Sequence, residues 1–557
     1  MPLVYVKSSG TRVSGESTPG DWSDANCYPR VSASVGAWTG ATQVVLNDET
    51  ITETTTVGTA SFASLTSLSI EKRGASSTPA VWSMNSATAP LINAAPTAAQ
   101  TFAASDIVFT RAVPMSAAAT TALLAFSGTG YSAITFTRCT FGPMDIDGHL
   151  GGLNASVFSV QGTPVSRLVT LTDCVVTGIN HISAGTGPWM RLGGTGNTFS
   201  FVNCSWRNCN YIHTSSAAAC GFGILPENTQ TFTFTNCTAE DLTVKGADSS
   251  AYVRCFYFTP TTAQTTIIRN FRFNRVVVGT EEVPIQSQGW GFYISGAYSV
   301  NGVHSRYCTY YETGNRDGGQ IYFNGTGAIG SATDLSAMHC RSRSGAALFV
   351  SNGAGGVFSR VLAMYNISEA GVIYSGGYGD FELRVAISCY NSKIPGSNAN
   401  DGLAVYVRNN AATRHKTARI ANVIAVGNTT NGSCAGIAVE NNDAVYSMTA
   451  EVINCISRNV NVNDIEQTAT AAGALTVTAR NCNVSNTISV TSNVNEVSGD
   501  PQFIGGPNPT TAEGFKLRPN SPLRRAGTCV YTTGCVPRDF GGRRGRVPPD
   551  IGAWQRN

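Results

Sequence analysis

Charged residues are scarce in this chain, at 13% of 557 residues, and the two signs nearly cancel to a net charge of +3. So small an excess excludes the strongly basic face on which nucleic-acid binding rests. With 58 Gly and many Ser, Thr and Asn, the chain is too uncharged for a disordered tail and too polar for a membrane protein. Stretches with helical periodicity and caps are nearly absent, which leaves short strands joined by turns as the main element. CxxC pairs are missing, and Cys204 with Cys209 is only a loose pair, so no metal centre and no cofactor is expected. The amino terminus, Met1 to Lys7, lacks a charged segment followed by a long apolar stretch. That absence of a signal peptide predicts synthesis and folding in a cytoplasm.

What the chain does have is a recurring phrase with cysteine near its centre. It reads Phe-Thr-Arg-Cys139, Leu-Thr-Asp-Cys174, Phe-Val-Asn-Cys204, Phe-Thr-Asn-Cys237, Val-Ile-Asn-Cys455 and Ala-Arg-Asn-Cys482. The steps from Cys139 to Cys174, Cys204 and Cys237 are 35, 30 and 33 residues, and Cys455 to Cys482 is 27. A loose period of this size suits a solenoid whose strands are fixed and whose loops vary. Degenerate copies stand at Cys308, Cys340, Tyr365-Asn366 and Cys389. Val, Ile, Thr, Phe and Tyr dominate the phrase, which favours strand. Simple alternation would turn Phe234, Asn236 and Thr238 one way and Thr235, Cys237 and Ala239 the other, with the cysteine inside. The fold class read from this is all-β, a right-handed parallel β-helix of one strand-coil, with capped ends. Its inward thiols would be reduced and stacked as small hydrophobes. Cys529 and Cys535 are the disulfide candidates.

Along the chain, residues 1–30 read as an extended lead-in or virion-attachment segment. Residues 31–105 read as an N-terminal cap with the first coils, 106–498 as the β-helix and 499–557 as a closing segment. An Ala-rich stretch from Ala87 to Ala104 fits either a loop or a short capping helix. The closing sequence Asp500-Pro501-Gln502-Phe503, then Phe515 to Pro522, Ala526-Gly527 and Asp550-Ile551-Gly552-Ala553-Trp554 resembles that of right-handed parallel β-helix repeat proteins. With the Asn-Cys coils the resemblance covers roughly residues 100 to 557. It implies the pectate-lyase-like solenoid used by carbohydrate-active enzymes, bacteriophage tailspikes and other virion proteins. Fold alone does not choose among these.

Glycoside hydrolysis needs two carboxylates, and two rows of alternating residues offer them. Asp145 and Asp147, followed by His149, would stand about 6 to 7 Å apart on one face of an extended strand. Asp380, Glu382 and Arg384 form a similar acid, acid, base row. Both rows are equally what a half-exposed strand with turn chemistry shows. Glu281-Glu282 reads as a solvated loop pair. A basic set comes from His304 and Arg306, which recur 35 residues later as His339 and Arg341, with Arg343 following. If 35 residues make a coil, these groups stack into a ridge able to hold carboxylate or phosphate groups of an acidic glycan. Aligning Cys308 with Cys340 gives a step of 32 and removes that register. Trp290, with Tyr293, Tyr298, Tyr307, Tyr310 and Tyr311, offers rings either for sugar stacking or for an internal stack.

Three function classes remain. A virion structural protein, either a tailspike-like fibre or a capsid decoration that binds host surface polysaccharide, accounts for the low charge and the missing signal peptide. A polysaccharide hydrolase or lyase needs a constellation that the sequence does not display. A bacterial adhesin would carry an export signal. The ends and side wall of a lone β-helix invite self-association, and the resemblance to tailspikes implies that the assembly is a homotrimer, with other virion proteins as partners.

Overall fold

The computed structural model describes residues 2–554 apart from 75–76, 117–121, 149–155, 161–166, 184–188, 194–195, 215–219, 228–230, 247–251, 259–264, 285, 288–289, 312–317, 327, 395–402, 411–413, 429–434, 459–462, 470–472, 528–538 and 542–549. The chain divides into two compact units, Met1–Ser287 and Gln288–Asn557. Each is a parallel β-helix. Within the first, Ala133 pairs in parallel with Leu168, Leu168 with Thr198 and Thr198 with Thr231, so the coil steps are those of the cysteine phrase. Among the described residues, regular helix is confined to short turns such as Val31–Ser34. Among the described residues, no helix is long and apolar enough to cross a membrane.

Asparagine before cysteine has a backbone reason. Arg138, Asp173, Asn203, Asn236 and Asn270 all adopt φ between 51° and 57°, the left-handed region that Asn and Asp tolerate best among residues with a Cβ. Each such residue turns the chain at a corner of the coil and resets the alternation of faces. Phe234 and Cys237 are therefore both buried, where simple alternation would have opposed them. Asp241 does the same five positions on, so Ala239 and Leu242 are both inside. Outside, the corner side chains bond to one another from coil to coil: Asn203 to Asp173 at 2.9 Å and Asn270 to Asn236 at 3.0 Å.

Inside the first unit, Cys139, Cys174, Cys204 and Cys237 form a buried column. Their thiols donate to carbonyls of the preceding coil, Cys204 to Leu171 at 3.3 Å and Cys237 to Phe201 at 3.5 Å. Beside them Phe201 stacks on Phe234 with centroids 4.9 Å apart and planes within 5°. In-register parallel pairing makes such like-on-like stacks, because equivalent side chains recur at about 4.8 Å. The N-terminal residues belong to the same body: Leu3–Val6 pairs in parallel with Gly40–Leu46, and Tyr5 stacks on Trp22 at 4.3 Å. The Ala-rich stretch resolves into strands Ile92–Ala94 and Gln100–Ser105.

The second unit carries a different corner row. Tyr307, His339, Tyr365 and Tyr390 occupy left-handed positions, and their rings stack at 5.2, 5.1 and 5.4 Å. Behind that row runs a buried asparagine ladder. Asn366 Oδ1 accepts from the Cys340 N–H, Asn391 Oδ1 from the Asn366 N–H and Asn428 Oδ1 from the Asn391 N–H. The coil equivalent of Cys340 and Asn366 is thus Asn391, two residues beyond the Cys389 that the repeat suggested. Residues of the closing segment lie on the wall of this solenoid. Phe503, Phe515, Leu517, Leu523, Ile551 and Trp554 pack over Met364, Ile387, Ile424 and Ile456, which come from successive coils. The segment thereby buries apolar side chains that would otherwise face water.

Candidate functional site

Variable loop lengths decide which outward side chains meet. In the second unit Gly356 pairs with Phe381, Phe381 with Ala418, and Arg419 with Glu451, which are steps of 25, 37 and 32 residues. These steps put Gly355, Asp380, Thr417 and Thr449 in one outward column. Val357, Glu382, Arg419 and Glu451 form the next. Together with Ile329, Gly353, Gly356 and Arg414 they line an open groove of about 650 Å³. Two glycines of this lining have no room for a side chain: a Cβ on Gly355 would come within 2.6 Å of the Asp380 carbonyl oxygen. One on Gly356 would meet the Tyr298 hydroxyl at 2.5 Å.

The acids in this groove are all engaged. Asp380 Oδ1 accepts from the Thr417 N–H at 2.9 Å and the Thr417 hydroxyl at 2.8 Å, while Oδ2 lies 3.9 Å from Arg414. Glu382 accepts from Arg384 at 3.1 and 3.3 Å. Glu451 Oε2 accepts from Arg419 Nε at 3.0 Å and from Nη2 at 2.8 Å. Such pairs on a half-exposed wall hold geometry more than they add stability. Directly behind Thr417, Lys416 points into the solenoid and is fully buried. Its ammonium donates to the carbonyls of Gly377 at 2.5 Å, Arg408 at 2.7 Å and Ser375 at 3.4 Å, and to the Ser375 hydroxyl at 3.0 Å. Burial pushes this amine down to about 7, with the Asp380 charge acting the other way.

Of the residues singled out from sequence, Asp380 and Glu382 line this groove, Arg384 pairs with Glu382 beside it, and the other described ones lie elsewhere. Asp145 is exposed on the first unit, where Asn180 donates to it at 2.9 Å and Asn210 donates to Asn180. Asp147 sits in the same strand, Met144–Gly148, while His149 falls outside the described residues, as do Cys529 and Cys535. The basic ridge is corrected by register: His304 pairs with Ser336 and Arg306 with Met338, a step of 32 and not 35. His304 Nδ1 lies 2.8 Å from the Ser336 hydroxyl, and His339 is held between Tyr307 and Tyr365. Arg306 lies over Tyr307, Arg341 over Tyr311, and Arg343 pairs with Glu369 at 2.8 Å. Arg306 and His339 thus share Tyr307, and the stack of His on His and Arg on Arg that a 35-residue step would give does not form. Trp290 is likewise no sugar platform, since it is fully buried and donates to Ser305 at 3.2 Å. Tyr293, Tyr298 and Tyr310 are buried too, which is the internal-stack alternative.

Sequence reading passed over Arg414, Thr417, Arg419, Thr449 and Glu451. A signal existed in the phrases Thr417-Ala-Arg419 and Thr449-Ala-Glu451, which repeat after 32 residues within Lys416–Ala421 and Met448–Ile453. Among the described residues, no cluster of three or more His, Cys, Asp or Glu could hold a metal ion. No protein-family model matches this chain, and no curated protein matches it in sequence.

Proposed function

We propose that the protein is a β-helical structural component of a bacteriophage particle, a tailspike-like fibre or a surface decoration, and that the groove on its second unit binds host surface saccharide without cleaving it. The observation that carries the binding part is the groove itself: an open trough whose donors and acceptors alternate from coil to coil. Sugar hydroxyls, which both donate and accept, fit such a lining. A hydrolase would need one carboxylic acid kept protonated near neutral pH, usually by an apolar pocket. Here Asp380, Glu382 and Glu451 are each held by cationic or N–H and O–H donors on an open wall, and none lies in an apolar pocket. The particle part rests on the resemblance of the repeats and the closing segment, and on the stacking of parallel, in-register strands in both units.

Two measurements test this reading. Purified protein incubated with host capsule or lipopolysaccharide is expected to bind it and to release no oligosaccharide. The alternation of Asp380 and Glu382 on one face, at about 7 Å, keeps a second reading alive as a glycoside hydrolase. New reducing ends, lost in Asp380→Asn, would establish that second reading instead. For assembly, the proposed homotrimer predicts three times the chain mass in solution and co-sedimentation with phage particles. A monomer at micromolar concentration, absent from particles, would remove the structural role.

A further inference from the structure

The histidines of the two units are placed differently. On the second unit His339 and His415 are exposed and His304 is half-buried, so each can take up a proton beside water. On the first unit His181 and His213 are buried, at 1% and 0% exposure. Strand register puts His181 there. Ile146, His181 and Tyr211 are partners on the neighbouring strands Met144–Gly148, Ile179–Ser183 and Ser205–His213, which encloses the imidazole between an isoleucine and a phenol. The His181 and Tyr211 rings meet edge to face at 5.1 Å, and Tyr211 stacks on His213 at 6.3 Å. Neither ring nitrogen of His181 has a hydrogen-bond partner.

A neutral imidazole can be enclosed in this way, but an imidazolium would bury its charge with both N–H groups unbonded. The strands beside it offer no counter-charge. Ser205–His213 turns Cys209, Tyr211 and His213 inward, while Arg207 is exposed, and Met144–Gly148 turns Ile146 inward with Asp145 outside, bonded to Asn180. Across the interior the same coils bury Phe158, Val160, Met190 and Leu192, with Arg191 half-buried. Among the described side chains of these coils, no carboxylate faces the ring. Burial alone therefore pushes His181 down to about 3. Its folded value lies below the ordinary 6.5, so an opened chain binds the extra proton in between, and acid favours opening. Other groups of the unit respond elsewhere or oppositely. Asp24 and Asp241, held low by Lys7 and Arg275, lose their stabilisation only below about pH 4. Glu53, raised by burial, favours the folded state in acid.

We propose that His181 is an acid-sensitive latch of the first unit: below about pH 6 it takes up a proton by leaving the interior, and the coils around residues 179–213 open while the second unit stays closed. This device is independent of the groove and of what the groove binds.

Hydrogen exchange read by mass spectrometry on the whole protein from pH 7.5 to 4.5, corrected for the intrinsic effect of pH, tests it. Peptides from Ile179–Ser183 and Ser205–His213 are expected to lose protection by about tenfold per pH unit below about pH 6, the slope for one proton, while Lys416–Ala421 of the second unit keeps its protection. In His181→Phe, which keeps a ring against Tyr211, the acid-dependent loss should vanish. A readout that needs no substitution is the buried Cys209 thiol, whose reaction with dithiodipyridine, a disulfide active in acid, should quicken over the same range relative to the unfolded chain. Protection and thiol reactivity that stay flat down to pH 4.5 would overturn the latch. So would a loss shared equally by both units, or one that persists in His181→Phe.

Discussion

Replacing Lys416 by alanine is expected to lower the stability of the second unit by about 3–5 kcal/mol, the range for removing one partner from a buried charged hydrogen-bond set. The carbonyls of Ser375, Gly377 and Arg408 would lose their shared donor, and the space left by the side chain has no access to water. Lys416→Met keeps most of the volume and isolates the polar part of the loss. The same lysine sets a pH dependence. Its folded value, lowered to about 7, lies below the unfolded 10.5, so the unfolded chain binds more protons in between. Stability should therefore rise with pH from about 7 to about 10.5, and the rise should vanish in Lys416→Met. Denaturant unfolding of both proteins across that range checks it. An unchanged pH slope in the variant would show that Lys416 does not carry the effect.

A comparable loss is expected for Cys237→Asp in the first unit. The Cys237 thiol lies 3.5 Å from the Phe201 carbonyl oxygen and 3.4 Å from that of Thr235, so the site offers acceptors to a donor. A carboxylate there would face oxygen on both sides with no solvent, at a cost of about 4 kcal/mol or more. Cys237→Ala removes only the sulfur and should cost about 1 kcal/mol. Thiol chemistry reports on the same column without mutation. Burial pushes the Cys139 and Cys455 thiols well above their ordinary range and Cys209 up to about 12, while hydrogen bonds from neighbouring thiols lower Cys174 and Cys237, so slow labelling of the column rests on its burial. Labelling of the native protein should be slow and should accelerate on unfolding. Rapid native labelling of Cys139, Cys174, Cys204 and Cys237 would contradict the inward column.

The sequence by itself determined that this chain is a parallel β-helix and where its clearest coils begin. In-register stacking places like residues on like, so a structural requirement at one corner is repeated in the next coil and survives as the Asn-Cys phrase. The steps of 35, 30 and 33 were legible for that reason. Face assignment was only partly legible, because period-two alternation holds within a strand and fails across a left-handed corner. Asn236 between Phe234 and Cys237 is the residue that breaks it. The groove was half legible. Asp380 and Glu382 are neighbours in sequence, and their strand periodicity marks them as outward. Arg419 and Glu451 join them only after coil steps of 37 and 32, which depend on loops whose length no local pattern sets. The same uncertainty of step made His304 and His339 look like equivalents. Tertiary structure alone decided that Trp290 is interior, that Lys416 lies behind the groove wall, and that the closing segment covers the side of the second solenoid. Each of these depends on which apolar surface is left to bury once the coils are stacked, and that surface exists only in the folded chain.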